Sequence, residues 1–147
     1  MRGRGPEGYR SLDHVTDAFI EAWGPTFEVA LCQAGLGLMD TMVDTKKISQ
    51  IFSETLRVEG HDELELVYNW LEELLLSLEI RRRVFGEFKI RPIESKCEVF
   101  HLRAEARGDM YDPSVHGGKI EVKGVTYHLM EVLRESGLVR IKYLLDL

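Results

Sequence analysis

Two stretches of the chain carry a helical period, and most of the rest carries a period of two. After the break at Gly24-Pro25, the apolar residues Phe27, Leu31, Ala34 and Leu38 share one face at helical spacing, which predicts a helix to about Met42. Thr26 stands where an N-cap belongs, and Glu28 in the first turn suits the positive end of the helix dipole. Gly35 and Gly37 interrupt this helix, each at about 1 kcal/mol relative to Ala. Close packing against another backbone and simple helix irregularity both account for them. A second helix follows Asp62, its predicted cap, with Glu65 in the position of a capping box. Its apolar face is Leu64, Val67, Leu71, Leu74, Leu75 and Leu78, the strongest periodic segment of the chain. That face reads as core, with a partner-binding face as the alternative.

Strands are predicted at Tyr9 to Leu12, Ala18 to Trp23 and, briefly, around Leu56 and Val58. From Val84 onward the alternation continues: Phe88 and Ile90, then Phe100, Leu102, Ala104 and Ala106, each interleaved with charged residues. Asp112-Pro113 and Gly117-Gly118 mark a loop. Ile120 to Arg134 and Leu138 to Leu145 read as strands joined at Ser136-Gly137, a hairpin signal. The pattern predicts an α+β fold: one domain over residues 1–147, two helices packed on mostly antiparallel sheet, with the residues through about Glu7 mobile.

Composition narrows the function classes. A chain of 147 residues, 44% hydrophobic and 30% charged, can bury a single core as a soluble protein. No apolar run is long enough to span a bilayer, and Met1 to Pro6 lacks the apolar stretch of a signal peptide, so a cytoplasmic protein with no membrane partner is expected. The net charge of -6 opposes phosphate, so any RNA contact by the protein alone should be weak. Cys32, in an apolar helix, and Cys97, at the predicted start of a strand, stand in no metal spacing and read as structural thiols of a reducing compartment.

No nucleotide loop, nucleophile elbow or zinc motif is present. The histidines are scattered; His101 lies on the polar side of a strand and His61 in the turn before a helix. The acids are more informative. Asp13 and Asp17 flank His14 between two strand signals, Asp44 ends the first helix, and Asp146 follows the apolar pair Leu144-Leu145. Converging carboxylates would suit a hard cation such as calcium, magnesium or manganese. Spacing alone leaves that reading open beside ordinary capping and turn roles. Lys123 reads as an exposed strand lysine, and Arg81-Arg82-Arg83 as a charge complement to the helix dipole or a contact for RNA or an acidic partner.

Several blocks together resemble the archease family. Leu12-Asp13-His14-Val15-Thr16-Asp17 resembles its Leu-Asp-His-Thr-Ala-Asp signature, and Ala22-Trp23-Gly24 matches the tripeptide that follows. Met42-Val43-Asp44 is similar to its Met-Thr-Asp. Asn69-Trp70-Leu71-Glu72-Glu73-Leu74-Leu75 is similar to its Asn-Trp-Leu-x-Glu-Leu-Leu. Glu121-Val122-Lys123-Gly124-Val125-Thr126-Tyr127-His128 resembles its Glu-Val-Lys-Ala-Val-Thr-Tyr-His, and Asp146-Leu147 its closing pair. The blocks keep the family's order and span nearly the whole chain. Val15-Thr16 departs from the usual Thr-Ala and moves a hydroxyl by one residue. His116-Gly117-Gly118-Lys119-Ile120 departs from His-Pro-x-Gly-Thr, near Lys123.

The resemblance implies a cytosolic protein cofactor of the tRNA-splicing RNA ligase. Such a protein promotes the ligase's GTP-dependent guanylylation, on a histidine and with manganese, and permits repeated turnover. A second implied role is as chaperone of a tRNA cytosine-5 methyltransferase. Carried over residue by residue, the family's metal site falls on Asp17, Asp146 and the backbone carbonyl of Leu147, with Asp44 as a further acidic member. Lys123, with His14 and Asp13, becomes the candidate contact to the ligase or its nucleotide. A metal-dependent hydrolase using the same carboxylates is the enzymatic alternative; it would need a base beside the metal, and His14 is the nearest in sequence.

Overall fold

Thr26 caps the first helix as its position suggests: its side chain accepts the Val29 amide at 3.1 Å, and α1 runs Phe27–Met42. The computed structural model describes residues 5–12 and 17–147. Asp62 likewise caps α2 (Glu63–Glu79), accepting the Glu65 amide at 2.8 Å. The Glu65 carboxylate reaches back to the amide and ring of His61, one residue further than a capping box requires.

The strands form two antiparallel sheets. The first holds β1 (Gly8–Leu12), β2 (Ala18–Gly24), β7 (Gly124–Glu135) and β8 (Leu138–Asp146) in the order β1-β2-β8-β7. The second holds β3 (Phe52–Gly60), β4 (Arg83–Ile90) and the long β6 (Val99–Met110) in the order β3-β6-β4, with the short β5 (Glu94–Lys96) also paired to β6. Between β6 and β7 a single helical turn, α3 (Pro113–His116), is capped by Asp112 where the sequence pattern suggests only a loop. The reading of an α+β domain therefore holds, with one extra helical turn and with the sheet divided in two.

The helices touch both sheets. α1 packs on β2 and β4, and α2 on β3 and β7. Trp70 of α2, fully buried, donates its ring N–H to the Leu31 carbonyl of α1 at 2.8 Å and meets Phe88 edge-on. From β8, buried Tyr143 donates its hydroxyl to the Ala34 carbonyl at 2.7 Å. The two glycines of α1 make room for these neighbours. A Cβ on Gly35 would lie 2.9 Å from Leu74 and 3.0 Å from Phe88, and one on Gly37 would lie 3.1 Å from the Tyr143 hydroxyl. Close packing is thus their explanation, against side chains rather than another backbone.

Four expectations need correction. Leu64 is 39% exposed, whereas Leu66 and Trp70, absent from the predicted apolar face, are fully buried. The strand expected from Ile120 starts only at Gly124, and Ile120 is 48% exposed although Val122 is buried. The short strand expected around Leu56 spans nine residues. Cys97 opens no strand: with Glu98 it forms the turn between β5 and β6, both residues at positive φ. Of the segment expected to be mobile, Gly5 accepts the Trp23 ring N–H and Glu7 accepts from Gln33.

Candidate functional site

β8 brings three distant parts of the chain to one end of the first sheet. Ala18 pairs with Leu145, so Asp17 and Asp146 leave the sheet at the same end. On the opposite side of β8, Gly124 pairs with Asp146, and the Lys123 amide donates to the Asp146 carbonyl at 2.7 Å. The side chains of Lys123 and Asp146 are exposed there, while Asp17 and Leu147 are half-buried. The last strand does not pair with the first: β8 lies beside β2, and β1 pairs on the far side of β2.

Asp44 occupies a different local setting. Its carboxylate accepts the Lys46 amide at 3.2 Å as cap of a 3-10 turn, Thr45–Lys47, and its own amide donates to the His116 carbonyl at 3.0 Å. Those polar partners tie it to the loop before β7. Asp13 and His14 lie outside the described residues.

A residue that sequence reasoning missed fixes the segment leading to Lys123. Asp40, on α1, accepts Lys119 Nζ at 3.0 Å, Thr45 Oγ1 at 3.1 Å and the Tyr9 hydroxyl at 3.3 Å. Lys119 also donates Nζ to the Asp40 carbonyl and its amide to the Met42 carbonyl, each at 2.8 Å. Burial works to raise the Asp40 carboxyl, but the hydrogen bonds from Lys119 and Thr45 outweigh it and hold the group below the ordinary carboxylate range. Tyr9 is pushed up, first by burial and then by the Asp40 charge. The only trace of this cluster in the sequence is the lysine that departs from the family's loop pattern.

The donor set suits a hard cation. Two carboxylates and a backbone carbonyl offer oxygen only, which fits calcium, magnesium or manganese better than a soft metal. Among the described residues, no group of three or more His, Cys, Asp or Glu side chains gathers closely enough to hold a metal. A cation bound between Asp17 and Asp146 would therefore rely on backbone oxygen or water for the rest of its shell.

The three arginines after α2 have different partners. Arg81 pairs with Glu73 at 2.7 Å, Arg82 lies over the Tyr111 ring, and Arg83 pairs with Glu54 and lies over Phe52. Arg81 and Arg83 each pair with a carboxylate, while the Arg82 side chain has only the ring contact among the described residues and stays exposed.

The sequence model of the archease protein family matches residues 9–147. Protein archease of Methanopyrus kandleri is 35% identical over 139 residues, covering 95% of this chain and 99% of that one. Protein archease of Pyrococcus furiosus is 40% identical over 126 residues, covering 86% and 88%. The solution structure of protein 1598 of Methanobacterium thermoautotrophicum superposes with a TM-score of 0.81 at 31% identity, covering 95% of this chain and 99% of that one. An archease from Thermotoga maritima, described as a possible chaperone, superposes at 0.59 with 14% identity, covering 94% and 96%, a likeness of fold.

Proposed function

This chain belongs to the archease family, and from that premise we propose that it activates an RNA ligase that seals tRNA halves and is not itself an enzyme. The observation that carries the reading is the meeting of Asp17, Lys123 and Asp146 at one end of the first sheet, with Lys123 exposed on a backbone anchored to Asp146. A surface lysine on a fixed backbone is a suitable tool for acting on a partner, because its charged head can reach a phosphate while its position stays set. In the complex, Lys123 would offset negative charge as GMP passes from GTP to the ligase's histidine. Docking would exclude water and strengthen that charge.

Asp17, Asp146 and the Leu147 carbonyl would hold a divalent cation. When bound, it would supply positive charge that links the ends of β2 and β8. Asp44 would contribute through the loop it anchors. His14 and Asp13 are proposed as further contacts to the partner. The cytoplasm, where tRNA is processed, is the proposed place of work.

Chaperoning a tRNA cytosine-5 methyltransferase is the second reading. It draws on the description of the Thermotoga protein and on the exposed apolar residues Tyr127, Leu129 and Leu133 of β7, which a client could cover. A guanylylation assay separates the two. The cognate ligase, given GTP and manganese, should form its GMP adduct faster with this protein than without it. Equal rates, together with suppressed aggregation of the methyltransferase, would favour the chaperone. Metal-dependent hydrolysis, the third reading, requires phosphate or ester release by the protein alone.

A further inference from the structure

The outer face of the second sheet carries a row of three arginines in register. Arg57 of β3 is the direct cross-strand partner of Arg103 in β6. On the other side of β6, the Arg91 amide donates to the Arg103 carbonyl at 3.0 Å, directly after the pairing of Ile90 with Ala104. All three side chains are exposed. They line a concavity of about 270 Å³, together with Lys96, Glu59 and Glu94.

Like charges directly opposite each other on a sheet are destabilising, so such a row needs a reason. The rows on either side show the ordinary solution. Thr55, Glu105 and Lys89 share one row, and Glu59, His101 and Glu94 the other. The carboxylates nearest the arginines are engaged elsewhere. Glu105 accepts from Thr55 at 2.9 and 3.1 Å, Glu59 lies 3.2 Å from the His101 ring, and Glu94 lies 3.3 Å from Lys96. Arg103 retains a loose contact to Glu105 at 3.9 Å. Arg57 and Arg91 have no ion pair among the described residues.

We infer that this row is a phosphate-binding site. Adjacent strands lie about 4.8 Å apart, so three guanidinium groups span about 10 Å, more than one carboxylate or phosphate would use. Arginine forks bind phosphate oxygens in pairs, which favours a ligand with phosphates in series. The lining holds no Phe, Tyr or Trp; its one ring is that of His101, 3.2 Å from the Glu59 carboxylate. With four cationic side chains and no large aromatic platform, the site reads charge first, as a contact to a nucleic-acid backbone or a polyphosphate chain does. In a protein of net charge -6, binding there is local and weak, in contrast to a general affinity for RNA.

The test follows the arginine side-chain N–H signals of the isotopically labelled protein by NMR at low salt. Three probes are added separately: inorganic tripolyphosphate, a short oligouridylate and a short polyglutamate. Movement of the Arg57, Arg91 and Arg103 signals with either phosphate probe is the expected result. A response to tripolyphosphate alone assigns the site to a small phosphate ligand, and a response to oligouridylate assigns it to RNA. Arg103→Gln and Arg57→Gln should each weaken binding about tenfold or more, as loss of a charged bidentate pair implies. Neither should lower the melting temperature, and Lys142→Gln, on the other sheet, should bind as the parent does. No movement with either phosphate probe, movement with polyglutamate alone, or a lower melting temperature in both arginine variants would overturn the proposal.

Discussion

Lys123 and Asp146 are joined through their backbones, the amide of one to the carbonyl of the other at 2.7 Å, while both side chains face solvent. The structural role of Lys123 thus survives loss of its side chain. Lys123→Ala should change stability by no more than about 0.5 kcal/mol, as exposed substitutions usually do, and leave the melting curve almost in place. The same variant should sharply slow ligase guanylylation stimulated by the protein. A folded variant that stimulates normally would make the lysine a bystander.

Asp146→Ala tests the cation. Isothermal calorimetry with calcium and with manganese should show weaker binding than for the parent protein. In metal-free buffer the variant should be at least as stable, because a carboxylate near Asp17 has been removed without leaving a buried charge. Unchanged affinity for both ions would remove Asp146 from the site.

Acid should loosen the segment before β7. The folded Asp40 carboxyl lies below its unfolded value, so its contribution to stability is present above the unfolded value and is lost as pH falls through the folded one. Hydrogen exchange at the Lys119 amide, followed below the ordinary carboxylate range and corrected for intrinsic rates, should lose protection first there. Asp40→Asn should abolish that pH dependence. A profile identical in the variant would mean that Asp40 does not hold the loop.

Gly35→Ala sets helix propensity against packing. The added methyl gains up to about 1 kcal/mol as helix but meets Leu74 and Phe88 at a typical overpacking cost of about 1–3 kcal/mol. Chemical denaturation should show a net loss of about 1 kcal/mol. A gain would show that Leu74 yields without strain.

The two cysteines should react at different rates. Burial pushes the Cys32 thiol up to about 11, which leaves little thiolate at neutral pH, whereas Cys97 is exposed in its turn. A thiol reagent at mildly alkaline pH should label Cys97 quickly and Cys32 only slowly, by mass spectrometry of the labelled peptides.

Where the sequence is explicit, the structure follows it. Thr26 and Asp62 cap the helices, Ser136-Gly137 turns the last hairpin, and Gly137 takes the positive φ expected of such a turn. The failures have identifiable causes. Alternation at Ile120 to Lys123 looks like strand, but a strand needs a partner, and β8 reaches its end opposite Gly124, leaving only the Lys123 amide to pair. The Cys97-Glu98 turn lacks the glycine or asparagine that normally marks such a conformation, so β5 gave no signal. Leu64 misled because α2 buries a wide arc against α1 and both sheets, and that arc turns toward Leu66 and Trp70. The family resemblance names Asp17 and Asp146 together, but only the strand register puts Lys123 at the same end of the sheet. The Asp40–Lys119 tie was not legible, since its partners lie 79 positions apart with no periodic cue between them.

The pairing of β2 with β8 also sets a folding clock. Ala18 meets Leu145 across most of the chain, and contacts of such separation are slow to form because the intervening loop must close first. The two helices can acquire their turns early from local contacts, but the Asp17–Asp146 end of the sheet exists only once that long closure is complete. A chain arrested before it, however helical, lacks that end of the sheet altogether. A cation held there would bind the finished fold alone and draw the whole folding equilibrium toward it.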